Sequence, residues 1–301
     1  MVDQIAVVTV SIPATATPFT VDFTDPSITA AFSAAVFIFT RETTDSSDQP
    51  GADIGIGFVS VERGTGATGE QAMSAFAADG ASTPTTGFSH SISRSISITD
   101  TTLAGAVTLL AEYSSSISGG VRMNFTTRTI TCKVTAILFA GLSRAAADSC
   151  SSTTISATEG VGDTGVGQFS PDLVIFAATN TGLSSAPANN IGGHPNIGFA
   201  VKSSLAQVCA LVSVDDPTNP PDADGYIKSA AAFGHLNNAT RVIETAAISA
   251  FPATGFTHQS SVGTVPAHYL ALKFAGNVRI GVANLAVAAS ATPQTFNGFG
   301  F

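Results

Sequence analysis

The chain has 301 residues, 44% of them hydrophobic and only 11% charged, with a formal net charge of −9. An ordinary soluble domain carries roughly 25% charged residues, so the surface here falls to Ser, Thr, Asn and Gly. The few Lys and Arg are scattered, with no polybasic run. That speaks against a nucleic-acid binder, which needs a basic stripe to neutralise phosphates, and against a basic membrane-surface binder.

Taken in chain order, short β-branched or aromatic runs recur between Gly, Pro, Asp and Ser. They lie at residues 5–12, 35–40, 54–61, 89–98, 130–139, 173–178, 197–201, 205–214, 246–251 and 267–274. SHSISRSISI (89–98) alternates strictly, with Ile92, Ile96 and Ile98 on one period, and predicts one half-buried strand. Two stretches, EQAMSAFAA (70–78) and AGAVTLLAEY (104–113), have compositions a helix would accept. Their counterparts later in the chain, AQVCALVSV and RVIETAAISA, are richer in β-branched residues, so all four are read as strands. Strands at this spacing with turn signals between them predict an antiparallel sandwich or barrel.

The chain contains a second copy of its own pattern. FSAAVFIF (32–39) returns as FSPDLVIF (169–176), and Ile56-Gly57-Phe58 as Ile197-Gly198-Phe199. Gln71-Ala72-Met73 is matched with Gln207-Val208-Cys209, and residues 120–141 align without a gap to 255–276, both ending in Phe-Ala-Gly. Four anchors in the same order predict an internal tandem duplication. The fold class expected is all-β: two tandem antiparallel β-sandwich units, jelly-roll-like in shape, spanning 1–147 and 148–284. Residues 292–299, TPQTFNGF, resemble 17–23, TPFTVDF, so the stretch 285–301 reads as an orphan strand or arm. An unpaired strand needs a partner. Thr292, Pro293, Phe296, Phe299 and Phe301 are therefore the expected assembly residues, pairing either within the second unit or with a neighbouring subunit.

Few motifs carry chemistry. GTGATG (Gly64, Gly66, Gly69) and GVGDTG (Gly160, Gly162, Gly165) have dinucleotide-loop spacing, but neither opens a helix in a βαβ frame, so no cofactor is expected. His90, His194, His235, His258 and His268 form no metal-ligand spacing; only His258 and His268 could meet, across one hairpin. Asp215, Asp216, Asp222 and Asp224 in DDPTNPPDADG are the weak metal candidates. They lack the order and closing Glu of a calcium loop, so a solvated Pro-rich loop is the stronger reading and no metal is expected. Cys132, Cys150 and Cys209 are too few and too far apart for a disulfide framework and read as small core residues. There is no G-x-S-x-G elbow, and carboxylates lack convincing partners, so no catalytic residues are expected. The start, MVDQIAVVTVSIP, has no basic n-region, and no apolar run is long enough to span a bilayer.

The unit pattern runs T-x-P-x-T-x-x-F, F-S-P-D-L-V-I-F, N-I-G-F and a closing G-F-T…A-x-Y-L-A-L-x-x-A-G. It is carried best by residues 169–176, 196–199 and 255–276. It resembles the repeated β-rich units of tailed-bacteriophage virion structural proteins. The resemblance implies a homo-oligomeric assembly component among other virion proteins, head, tail or fibre, with no catalysis, nucleic acid or membrane. It would be assembled in the host cytoplasm. The alternative expectation is a surface adhesin or a carbohydrate- or protein-binding module. The absence of Trp and the three tyrosines count against sugar platforms.

Overall fold

A computed structural model describes residues 3–14, 18–40, 52–62, 68–78, 85–99, 107–128, 131–162, 167–178, 188–191, 196–214, 223–237 and 242–276. These form strands and connections with no helix. The first unit contributes β1 (Gln4–Ile12), β2 (Phe19–Thr24), β3 (Phe32–Thr40), β4 (Ala52–Val61), β5 (Thr68–Ala78), β6 (Thr85–Ser91), β7 (Ile96–Thr99), β8 (Val107–Ile117), β9 (Gly120–Arg128) and β10 (Cys132–Ala140). The second contributes β11 (Arg144–Ser152), β12 (Ala157–Gly160), β13 (Leu173–Ala178), β14 (Ala188–Ile191), β15 (Asn196–Val201) and β16 (Gln207–Val214). It continues with β17 (Ala223–Lys228), β18 (Phe233–Asn237), β19 (Val242–Ala250), β20 (Gly255–Ser260) and β21 (Val265–Lys273). The two stretches 70–78 and 107–113, ambiguous by composition, lie in strands β5 and β8.

Four antiparallel sheets result. The first unit pairs a sheet ordered β1-β10-β3-β4-β5-β6-β14 with one ordered β2-β9-β8-β7. The second pairs β11-β21-β13-β15-β16-β17 with β12-β20-β19-β18. With β14 set aside, the second unit repeats the strand order of the first, strand for strand. In each, the outer strands of the unit wrap across both sheets while the third to sixth run as a meander. The boundary drawn from the sequence at 147/148 falls inside a strand: β11 starts at Arg144 and pairs with β21 along its length. β14 departs from the pattern, since it leaves its own unit to pair with β6 of the other.

The sheets stack in four layers with three apolar seams. Phe23, Val121, Met123 and Phe125 of the first small sheet pack on Phe37, Phe39, Val134 and Leu138 of the first large sheet. Phe176 and Tyr269 of the second large sheet pack on Phe233 and Phe256 of the second small sheet. The two large sheets meet back to back through Val36, Ile56, Phe58, Met73 and Phe139 against Ala145, Ala147, Ile175, Leu270 and Leu272. A strand inside such a stack is buried on both faces and loses its polar alternation. β21, VPAHYLALK, is the clearest case: eight of its nine residues are buried. Its odd-numbered residues Ala267, Tyr269 and Ala271 face the small sheet, and Leu270 and Leu272 face the other unit.

Two expectations need correcting. SHSISRSISI is not one strand: it ends β6, bends at residues 92–95 and begins β7 in the opposite sheet. The Ser91 hydroxyl accepts from the Ser93 backbone N–H at 3.2 Å, taking an N–H that a continuing ladder would have used. Neither half is half-buried as the alternation predicts: Ser89 and Ser91 before the bend and Ser95 and Ser97 after it are as buried as Ile96 and Ile98, so the polar positions of the pattern face protein and not solvent. Residues 255–274, likewise, are not a hairpin within one sheet. β20 and β21 belong to different sheets, and the chain crosses between them after Ser260.

Candidate functional site

The strand β21 puts two polar clusters back to back, because successive side chains point to opposite faces. His268 points into the seam between the units. Its Nδ1 lies 2.7 Å from Oε1 of Gln71 on β5, and its ring is 5.9 Å from that of His90 on β6. Burial pushes the His268 imidazole down to about 3, and the neighbouring His90 adds to the shift. Burial lowers His90 as well. Both rings are therefore neutral near pH 7, with the His268 proton on Nδ1, facing the Gln71 carbonyl oxygen. His258, expected opposite His268 across a hairpin, is on the other side of β21's sheet, among Phe233 and Phe256.

The second cluster faces the small sheet. Tyr269 is fully buried and its hydroxyl has no hydrogen-bond partner. Near it are Cys150 and Asp148 from β11 and Glu159 from β12, and His258 from β20 lies beside Glu159. Glu159 Oε2 is 4.0 Å from His258 Nε2, and His258 Nδ1 is buried without a partner. Burial, with the Asp148 charge adding, raises the Glu159 carboxyl to about 6. Burial also raises the Cys150 thiol and the Tyr269 phenol, with the nearby carboxylates acting in the same direction. Burial lowers His258. The thiol and phenol are thus held in their non-nucleophilic forms. What this cluster can do is take up one proton at Glu159 in mildly acidic solution.

The first unit shows what stands at the matched positions. Gly120 stands opposite Thr24 and Gly255 opposite Gly160, which makes Glu159 the counterpart of Phe23 and His258 the counterpart of Met123. Phe23 is fully buried and meets Phe37 edge-on at 5.4 Å. The second unit thus places a carboxylate and an imidazole where the first has an aromatic ring and a thioether. Only comparison of matched strands exposes this, since Glu159 sits in no motif. A third pair, His235 Nε2 to Glu244 Oε2 at 3.0 Å, lies on the same small sheet.

Among the described residues no group of three or more His, Cys, Asp or Glu is placed to hold a metal ion. Asp215, Asp216 and Asp222 lie outside the described residues, and Asp224 is in β17 opposite Ser213. Thr292, Pro293, Phe296, Phe299 and Phe301 also lie outside them. Gly69 and Gly160 sit in strands β5 and β12, with no helix after either loop. Cys132, Cys150 and Cys209 are buried.

Two apolar surface features remain. A groove of about 280 Å³ opens where the large sheets part, lined by Ile38, Ile54, Ile56, Met73, Ile197 and Val212. On the first large sheet's outer strand among the described residues, β1, Ile5 is 57% and Val7 62% exposed. Comparison with protein-family models and with curated proteins finds no match.

Proposed function

We propose that the chain is a structural component of a tailed-bacteriophage virion, present in multiple copies and working by packing and shape without catalysis. The observation that carries this reading is the back-to-back seam: two sandwiches of the same strand order already associate within one chain through broad apolar faces. A unit that packs on its own likeness is suited to repeated assembly. The low charge and the packing motifs of residues 169–176 and 255–276 support the same reading. Their apolar content is buried: Val174 and Phe176, and Tyr269 to Leu272, fill seams rather than line a cleft. Quantitative mass spectrometry of purified particles tests the proposal. The chain is expected at many copies per particle, in fixed ratio to the major head or tail protein. Its absence from particles that are otherwise complete would remove the reading.

A further inference from the structure

Every sheet edge is a row of backbone donors and acceptors, and folded proteins protect such edges with short strands, charges, prolines or bulges. Most edges here are protected in these ways. β12 and β14 have four residues each, and β7 has four and a register shift. β2 carries Asp22 in a bidentate pair with Arg122, β17 carries Lys228, and β11 carries Arg144 and Asp148. β1 has none of these devices. It runs nine residues, QIAVVTVSI, without a charge or a proline, and keeps one register with β10 throughout. Among the described residues it has a strand on one side only.

Resting on the multi-copy reading above, we propose that β1 pairs antiparallel with β1 of a second copy of this chain, about a twofold axis. The two first large sheets then become one continuous sheet. Three observations select this occupant. The strand is uncharged, so two copies bring no like charges together. Residues directly opposite in an antiparallel pair share a face. A pairing centred on residues 6–8 therefore sets the exposed Ile5 and Val7 of each copy beside the outward face of the other, while Ala6 and Val8 continue the core-facing row. Finally, the far edge of the same sheet already accepts a strand from outside its unit, β14 on β6.

Sedimentation and hydrogen exchange on the full chain test the pairing. A concentration-dependent dimer is expected, with the amides of residues 4–12 more protected in concentrated than in dilute solution. Val7→Lys, at an exposed position, is expected to weaken dimerisation about tenfold or more by placing like charges across the new ladder, with the dilute monomer's thermal midpoint unchanged. A chain monomeric at all concentrations, or a dimer indifferent to Val7→Lys, overturns the pairing. So does protection of β1 that appears only when other particle proteins are added, which assigns the edge to a foreign strand. A monomer that is still abundant in particles defeats the twofold and leaves the virion reading. A Val7-dependent dimer absent from particles does the reverse.

Discussion

Glu159 stands where the matched strand of the other unit has a buried phenylalanine, and its side chain is 29% exposed beside His258. Its carboxyl is raised to about 6 from 4.5, so the folded protein holds that proton more tightly than the unfolded chain. The resulting stabilisation is fully present below pH 4.5 and is lost as pH rises through 6. The shift corresponds to at most about 2 kcal/mol, nearer 1 after allowance for solvent at the rim. The histidines act in the opposite sense. His268 is lowered to about 3 from 6.5, so its neutral form favours the fold above 6.5 and that stability drains as pH falls toward 3. The wild-type profile mixes the two, and the difference between wild type and Glu159→Gln separates them. Urea unfolding from pH 4.5 to 7 should show the variant gaining about 1 kcal/mol on wild type as pH rises. Parallel profiles would mean that Glu159 is solvated like any surface acid.

At the scale of elements, the backbones of the two sheets in each unit approach closely at a matched point. A Cβ on Gly57 of β4 would sit 1.7 Å from the Ser95 carbonyl oxygen, and a Cβ on Gly198 of β15 would sit 1.7 Å from that of Ala232. Backbone cannot yield there as a flexible side chain would. Gly57→Ala and Gly198→Ala are each expected to cost about 3 kcal/mol or more in chemical unfolding, as overpacked sites do. A loss under about 1 kcal/mol at either would show that the sheets can part. These glycines also show how far the sequence could be read. The match of Ile56-Gly57-Phe58 to Ile197-Gly198-Phe199 picks out the same contact in both units. The match of Gln71 to Gln207 is one residue out. Glu70 accepts from the Tyr113 N–H and Gln207 from the Ile248 N–H, both at 2.8 Å, so those two are the counterparts. Chemical likeness between the glutamines hid that slip. The aromatic runs match on one side and slip on the other: Phe39 lies opposite Val134 and Phe176 opposite Tyr269, which the alignment of 120–141 with 255–276 equates, whereas towards the next strand it is Phe37 that lies opposite Gly57 and Phe176 opposite Gly198. A two-residue slip keeps every side chain on its face, so hydrophobic alternation cannot report it. The assignment of strands to sheets was illegible for the same reason, and the Glu159 cluster because it needs matched strands, not a motif, to be seen.

At the scale of the molecule, the seam between the large sheets ties the units into one body. Arg144 at the start of β11 is ion-paired with Glu62 of the first unit, donates to the Gly167 carbonyl at 2.7 Å and lies over the Phe169 ring. The Ser60 hydroxyl accepts from the Ala147 N–H at 2.8 Å. The Asp3 carboxylate accepts from the N–H groups of Ala275 and Gly276. Calorimetry should therefore record one transition, with calorimetric and van't Hoff enthalpies in agreement. Leu270→Ala, in the seam, should lower that single peak by about 2–5 kcal/mol without splitting it. Two resolved peaks in the wild type would show that each sandwich melts alone. The strand β14 carries a consequence for the order in which the body is made. It closes the β6 edge of the first unit, yet it is encoded about a hundred residues after β6. At roughly 5–20 residues per second, the nascent chain leaves that edge open for about 5–20 seconds. Until β14 emerges, the β6 edge of the growing protein lacks the strand that later closes it.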